Sequence, residues 1–489
     1  MSNILFVGIK GSGMSSLALI LKQQGNLVFG IDKCEYFQPQ EKLIQSNIKI
    51  FEGFSVANID IKIDRVIYSS AYEKHKLVIE LKEIYPTISY NDYLAYLTKL
   101  SNSYGVSGTH GKTTTAAATT YALSYKNRKD FPFYSIYGSS LIDSPSFTYQ
   151  GNESLLIEAC EYRDHFLKYS LNGAIITSID FDHSDYFTDL NSVIKSFLDF
   201  IINLKPAAFL ILNVDDRNIR ANLSTIKSLR DDLNIITFGF NDNSQFRIER
   251  DSYTNKYKIK LTRNEYFDFA YNDRAILDDI VGAAILSTCM LLDTKSVNLY
   301  LDNEDIILDE IFTTLFRISL KALETFPGVK GRLELKAINN NVVYIDDYAH
   351  HPKEIYSLIT ELKARYPGRK LFAIFSAHTA SRTKALYEDF LHVFLLFDKL
   401  VITKTFASAR MDEEPQDLAK RLVRDLNKKL LKSYKVRLGA AIYVDSDSET
   451  PSVAASMVEE GDIVISLGAS NNDNLYRQII KQIKGDKDL

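Results

Sequence analysis

Cysteine is scarce in this chain, and the three present (Cys34, Cys160 and Cys289) are far apart and odd in number. They make neither a disulfide framework nor a zinc-ligand spacing, which suits a reducing compartment. An excess of charge of one sign is also lacking. A formal net charge of −4 over 489 residues gives no electrostatic reason to expect nucleic acid as a partner. The longest mostly apolar stretch, 280–292, falls short of the roughly 20 residues that span a bilayer. The opening residues lack the charged start of a signal peptide, and Lys10 with three glycines breaks the apolar run there. Internal repeats and low-complexity tracts are missing too. These absences describe a cytoplasmic protein with no membrane partner. Its length is too great for one core, and roughly two to four domains are expected.

Histidine is sparse as well, but its placement is informative. Six of the eight (His110, His165, His183, His350, His351 and His378) fall inside polar motifs at predicted strand ends. Scattered core or surface histidines would not gather this way, so some of them are expected to serve chemistry.

The most specific motif is Gly108-Thr109-His110-Gly111-Lys112-Thr113-Thr114-Thr115. Two glycines let backbone N–H groups turn toward an anion. Lys112 adds a point charge for β- and γ-phosphates, and the hydroxyl of Thr113 can reach a magnesium ion. A short strand, 103–106, precedes the loop, and a helix is predicted over 114–123. Val106 occupies the place of the first glycine in the strict G-x-x-x-x-G-K-[ST] pattern. The alternative is a Gly/Thr-rich turn with a surface lysine. A mononucleotide triphosphate is the expected ligand. With Lys112 on an exposed loop, its removal is expected to abolish turnover and spare the fold.

Three α/β segments follow from the alternation of apolar runs and helical stretches. The first, 1–100, opens with a strand at 4–7, the turn Gly8-Ile9-Lys10-Gly11-Ser12-Gly13, a helix over 14–24 and a strand at 27–31 ending at Asp32. This is a Rossmann-like start with an anion-binding turn. Its G-x-x-G-x-G spacing departs from the dinucleotide pattern, and ordinary tight-turn use is the alternative. Asp32 can accept from ribose or base donors, and an apolar strand over 66–71 brings Ser69 and Ser70 to the same edge. The second segment, 101–325, holds the phosphate loop, a strand ending at Glu158, and the run Asp180-Phe181-Asp182-His183 after another strand. Glu158 and His183 are the metal candidates; a salt-bridged carboxylate and a turn histidine are the alternatives. Residues 246–269 are expected as a peripheral hairpin layer. The third segment, 326–489, carries Asp347-Tyr348-Ala349-His350-His351-Pro352, then His378 to Arg382, then Gly468-Ala469-Ser470-Asn471, each after a strand. Polar groups at successive strand ends describe an open parallel sheet with its site along that edge.

In order, these motifs resemble those of the Mur ligases, the amino-acid-adding enzymes of peptidoglycan synthesis, over nearly the whole chain. Gly8-x-x-Gly11-x-Gly13 is similar to the UDP-sugar loop and Gly108 to Thr115 to the ATP loop. The runs Glu158-Ala159-Cys160-Glu161-Tyr162-Arg163, Ile179 to Phe187, Asp347 to Pro352 and His378 to Thr383 fit the same family. Four positions depart from its pattern. Leu277-Asp278 stands where His-Asn opens a helix associated with adenine, and Gly331-Arg332 where two arginines are usual. Ser376-Ala377 replaces Gln-Pro, and Ser470-Asn471 ends the late glycine motif.

The resemblance implies three domains: a Rossmann-like UDP-sugar domain, a central P-loop ATPase-like α/β domain and a C-terminal Rossmann-like domain. It implies ATP- and magnesium-dependent joining of L-alanine to the lactyl carboxylate of UDP-N-acetylmuramate through an acyl phosphate. Gly8, Gly11, Ser12, Gly13, Asp32, Ser69 and Ser70 would hold the UDP-sugar. Gly108, Thr109, His110, Gly111, Lys112, Thr113, Thr114 and Asp347 would hold ATP, and Thr113, Glu158 and His183 the metal. His350, His351 and Arg382 would hold the amino acid, with Arg382 forked onto its carboxylate. Other readings stay open. His183 as a general base competes with His183 as a ligand, a helix cap competes with the pocket role of the histidine pair, and a surface ion pair competes for Arg382. At the level of function the rivals are a ligase recycling a preformed tripeptide, a catalytically silent relative, and a nicotinamide oxidoreductase. The last explains nothing after residue 100.

Overall fold

The computed structural model describes residues 1–35, 37, 39–55, 62–125, 131–142, 148–251, 256–260, 266–271, 274–292, 310–377, 380–404, 416–430, 437–468 and 474–484. Among them the strands form three sheets. Short, almost continuous apolar runs make the central strands, as expected where helices cover both faces of a parallel sheet. Gly173–Ile176 and Phe209–Asn213, for example, are buried along their whole length.

The first sheet runs β3-β2-β1-β4-β5, with β1 at Asn3–Val7, β2 at Leu27–Asp32, β3 at Lys49–Glu52, β4 at Arg65–Tyr68 and β5 at Thr87–Ser89. All its pairings are parallel. The order reverses between β1 and β4, so the turn after β1 and the residues after β4 flank one crevice. The strand expected over 66–71 stops at Tyr68. Ser69 donates to Val7 O (2.9 Å), and the chain then closes into a 3-10 turn, Ser70–Tyr72.

The second sheet runs β15-β14-β13-β12-β11-β10-β6-β9-β7-β8. Its strands are β6 Asn102–Ser107, β7 Phe133–Ile136, β8 Thr148–Tyr149, β9 Ser154–Glu158, β10 Gly173–Ile176, β11 Phe209–Asn213, β12 Asn234–Gly239, β13 Phe246–Arg250, β14 Tyr257–Lys260 and β15 Tyr266–Phe269. β6 lies between β9 and β10, parallel to both. The phosphate loop therefore leaves the sheet at its switch point, with the ends of β9 and β10 on either side. The helix Lys112–Leu123 begins two residues earlier than the sequence suggested, because Gly111 turns left-handed and frees Lys112 for the first turn. It packs against the helices Leu277–Leu291 and Glu310–Leu323. Gly282 lets the helix Leu277–Leu291 approach the sheet: a Cβ there would lie 2.7 Å from Ile175 Cδ1. The 246–269 region is no separate layer. Phe246 continues the sheet beside Phe238 of β12, and β14 and β15 add antiparallel to its edge.

The third sheet runs β16-β17-β21-β18-β19-β20, with β16 at Glu334–Asn339, β17 at Val342–Asp347, β18 at Leu371–Ser376, β19 at Lys399–Thr403, β20 at Ala441–Val444 and β21 at Ile463–Gly468. β16 is an antiparallel edge; the others pair in parallel. By its contacts the chain divides in two: Met1–Phe181 with Tyr186–Gly328, holding the first two sheets, and Asp182–Asp185 with Val329–Leu489, holding the third. Among the described residues no helix is long and apolar enough to cross a membrane.

Candidate active site

In the first unit, the phosphate loop is built by two glycines with φ of +136° and +82°, at Gly108 and Gly111. Both are also sterically required. A Cβ on Gly108 would meet Thr177 and sit 2.9 Å from Ser178 N, and one on Gly111 would sit 3.0 Å from the Asp279 carboxyl carbon. The residues after β10 brace the loop. Thr109 N donates to Ser178 O (2.9 Å) and His110 N to Ser178 Oγ (2.8 Å). Thr109 Oγ1 accepts from Asp180 N (2.8 Å), and Thr177 Oγ1 donates to Ser107 O (3.1 Å) and to His110 O. His110 Nε2 lies 3.6 Å from Asp180 Oδ2. The N-cap, Gly111, brings no side chain to the start of the helix Lys112–Leu123, where Thr114 is buried. That end of the helix therefore keeps its N–H groups and positive dipole for an anion.

Lys112 is not exposed, contrary to the sequence expectation; its side chain is 12% accessible. It bends back over the loop, donating to Gly108 O, to Thr109 O (3.1 Å) and to Glu161, whose oxygens lie 3.0 and 3.2 Å away. Burial works against the ammonium, but the Glu161 charge outweighs it and holds the lysine protonated well above its ordinary value. Glu161 is itself 1% exposed. Sequence reasoning gave it no role, although an acid three residues after Glu158 in a polar run was a usable signal. Beside this pair, Thr113 Oγ1 donates to Glu158 (3.0 and 3.2 Å to its oxygens), and Gly138 N donates to Glu158 Oε2 (2.9 Å). Two of the three metal candidates are thus in direct contact.

The UDP-sugar candidates gather at the carboxyl edge of the first sheet. Gly8 N donates to Ile31 O (2.8 Å), which joins the turn to the end of β2. Gly8 has φ +85°, and a Cβ there would lie 2.7 Å from the Tyr72 ring. At Gly13 a Cβ would meet the Tyr90 hydroxyl at 2.5 Å. Gly11 is different: its φ is −65°, and a Cβ would make only ordinary contacts, with Gly8 O at 3.7 Å and the Met14 side chain at 4.0 Å. The fold does not require glycine there, so the space before it is left for something else. Ser12 opens the helix Ser12–Gln23, and Ser69 and Ser70 are half-buried across the crevice. Asp32 is 4% exposed and already accepts from Lys10 N (2.7 Å), Lys33 N (2.8 Å) and the Tyr72 hydroxyl (3.4 Å). Its carboxylate shapes the turn. Lys10, another residue the sequence reading left without a role, is buried with Nζ on Lys33 O (2.7 Å), Glu35 O (2.8 Å) and Glu52 (3.3 Å).

In the second unit Arg382 is 7% exposed and forks onto Asp182, Nε to Oδ1 at 2.8 Å and Nη2 to Oδ2 at 3.0 Å. The two-pronged geometry expected for a carboxylate is present, with a protein carboxylate in it. Burial opposes ionisation of Asp182, but Arg382 and His183 hold it well below the usual carboxylate range. His183 has φ +52°, and its N–H donates to Asp182 Oδ1 (2.6 Å). Asp347 accepts from Leu333 N and Ala349 N, both at 2.7 Å, and burial raises its pKa to about 6. His351 caps the helix Pro352–Arg365, accepting from Lys353 N (3.2 Å), so the capping alternative describes this residue. His350 Nδ1 lies 2.7 Å from Tyr348 O, and burial lowers its pKa to about 4. His378 lies outside the described residues.

Profiles of known families match the chain in three consecutive stretches: "Mur ligase family, catalytic domain" over 3–104, "Mur ligase middle domain" over 106–274 and "Mur ligase, glutamate ligase domain" over 331–470. A protein named UDP-N-acetylmuramate–L-alanine ligase in Borrelia garinii subsp. bavariensis is 32% identical over 493 residues, covering 97% of this chain and 98% of that one. The chain belongs to the Mur ligase family. The same name and the same identity and coverage apply to a Borreliella afzelii protein. Among solved Mur ligases, the UDP-N-acetylmuramate-alanine ligase of Thermotoga maritima has a TM-score of 0.70 at 23% identity, over 100% of both chains. A murein peptide ligase of Psychrobacter arcticus also reaches 0.70, at 17% identity over 100% of both. Both likenesses show the fold alone.

The departures from the Mur ligase pattern have local explanations in part. Asp278 is half-buried at the start of the helix Leu277–Leu291, with Arg274 at 3.4 Å. Burial, with the Asp215 charge adding to it, raises its pKa to about 6. Gly331 has φ +65° and bridges Glu334 and Tyr348 through its own N–H and C=O, which its left-handed turn permits. Ser376 ends β18 against Gly468, where any Cβ would collide with the Ser376 carbonyl. Ser470 and Asn471 lie outside the described residues.

Proposed function

We propose that this Mur ligase joins L-alanine to the lactyl carboxylate of UDP-N-acetylmuramate with cleavage of ATP to ADP and phosphate, the first amino-acid addition in peptidoglycan precursor synthesis. What carries the reading is the 32% identity over 97% of the chain to proteins named for that reaction. We assign residues 1–100 to the sugar nucleotide, 101–325 to ATP and 326–489 to the amino acid. The protein would work in the cytoplasm as a monomer or weak homodimer.

A carboxylate does not react with an amine in water without activation. The lactyl carboxylate would attack the γ-phosphate, giving an acyl phosphate and ADP, and the neutral amine would then expel phosphate through a tetrahedral intermediate. Bringing a triphosphate to a carboxylate requires positive charge at the transferring group. Lys112 and the start of the helix Lys112–Leu123 would supply part of it. The Thr113 hydroxyl and Glu158 carboxylate offer the hard oxygen donors that suit magnesium, with His183 as a further ligand. Bound there, magnesium would neutralise charge developing on the phosphates. Arg382 would exchange Asp182 for the carboxylate of alanine, while His350 lines its pocket beside the helix that His351 caps, and Asp347 accepts from the ATP ribose. Gly8, Gly11, Ser12, Gly13, Ser69 and Ser70 would cradle the UDP group, with Asp32 fixing the turn.

The test is ADP release, which should need UDP-N-acetylmuramate, an amino acid and magnesium together. ADP release indifferent to the sugar nucleotide would overturn the reading. A second reading is addition of a preformed murein tripeptide to the same sugar nucleotide, the class of activity named for the Psychrobacter arcticus murein peptide ligase that shares the fold. The same assay with the tripeptide separates the two.

A further inference from the structure

The ammonium of Lys112 has three N–H groups, and three protein groups take them: Gly108 O, Thr109 O and the Glu161 carboxylate. A phosphate entering the loop therefore has to displace one. The two carbonyls belong to the loop that forms the cradle. Glu161 is a side chain carrying the same sign of charge as the phosphate, within 3.0 Å of Nζ, so it is the partner that repels the ligand. Its backbone is tied down. Its carbonyl accepts from Asp164 N (2.9 Å), and Asp164 is in turn held by the Tyr186 hydroxyl (2.5 Å) and by Ser196 Oγ. Arg163 and Asp164 both take left-handed backbone, with φ of +54° and +55°, in the turn that follows Glu161. The movable end of the ion pair is the long lysine side chain.

We propose that Glu161 is the resident counter-ion of Lys112, displaced by the β-phosphate of the bound nucleotide, and that this competition weakens ADP binding and speeds its release. Glu161 acts through the lysine as a positioning residue; it keeps the empty loop near neutral and returns the ammonium to its parked position after turnover. The inference rests on the ATP reading of the loop.

The experiment compares the full-length chain with Glu161→Gln, which keeps size and an acceptor oxygen while removing the charge. Calorimetric titration with ADP should show at least tenfold tighter binding in the variant, and ADP should raise its melting temperature more than that of the wild type. AMP, which has no β-phosphate, should bind both alike. A kcat lowered by slow ADP release, with little change in the KM for the sugar nucleotide, should accompany this. Equal or weaker ADP affinity in Glu161→Gln overturns the proposal, since a residue serving only the fold would weaken every ligand together. If Glu161→Gln does not fold, Glu161→Asp withdraws the carboxylate by one methylene. It must then also bind ADP more tightly, and failure to do so is equally contrary. A wild-type chain that binds no ADP would refute the nucleotide reading of the loop itself, a result distinct from either.

Discussion

Lys112→Ala should damage the fold as well as abolish turnover, and the size of the first effect follows from its ion pair. The lysine and Glu161 side chains are 12% and 2% accessible, and their charges are 3.0 Å apart. Truncating the lysine leaves a carboxylate in the interior without its counter-charge. Removing one member of a buried pair typically destabilises by about 3–5 kcal/mol. In a unit of this size that lowers the melting temperature by something on the order of 5–10 °C. The double variant Lys112→Ala/Glu161→Gln removes the orphaned charge and should recover most of the loss, because a neutral amide is far less costly to bury. Neither variant should turn over, since both lack the charge that compensates the phosphates. Thermal melting of the three proteins, with ADP release measured alongside, checks both halves. A single variant as stable as the wild type, or a double variant no more stable than the single, would refute the ion-pair reasoning. Activity above a tenth of wild type in either variant would refute the role given to the lysine.

Three further outcomes are expected. Gly11→Val should fold normally, because its φ is −65° and the nearest atom to a new Cβ is 3.7 Å away, yet raise the KM for the sugar nucleotide at least tenfold; a rise in the KM for ATP instead would reassign the first segment. His183→Gln should keep a residual rate with a raised magnesium requirement if the imidazole is a ligand, whereas a rate that magnesium cannot restore but higher pH can would make it the base. His350 stays neutral down to about pH 4 in the folded chain and titrates near pH 6.5 when unfolded, so the stability it lends is complete above pH 6.5 and is lost as pH falls toward 4. Its replacement by Gln should flatten that limb by up to about 1.4 kcal/mol per pH unit, read from melting at pH 7.5 and 5; an unchanged limb would show that the ring is not the group responsible.

The architecture was legible in the sequence because each parallel strand is a short apolar run ending in polar residues, and the ends of β1, β6 and β17 carry the motifs. Boundaries were less legible where side chains far along the chain set them. The first-sheet strand stops at Tyr68 through a turn closed by Tyr72, and 246–269 joins the central sheet only because Phe246 meets Phe238. At the site, residue identities were readable and pairings were not. Thr113 and Glu158 are 45 positions apart, Lys112 and Glu161 are 49, and Arg382 and Asp182 are 200, so no local pattern announces that they touch. Asp32 shows the complementary limit. Its place at a strand end suggested ligand recognition, whereas two backbone N–H groups and a tyrosine hydroxyl occupy its oxygens.

The most direct test of the central claim is the mass of the product formed when the protein receives ATP, magnesium and UDP-N-acetylmuramate with equal amounts of L-alanine and the murein tripeptide. The account predicts a sugar nucleotide heavier by one alanine residue, with one ADP released per product. A product heavier by the whole tripeptide, or no sugar-nucleotide product at all, would contradict it.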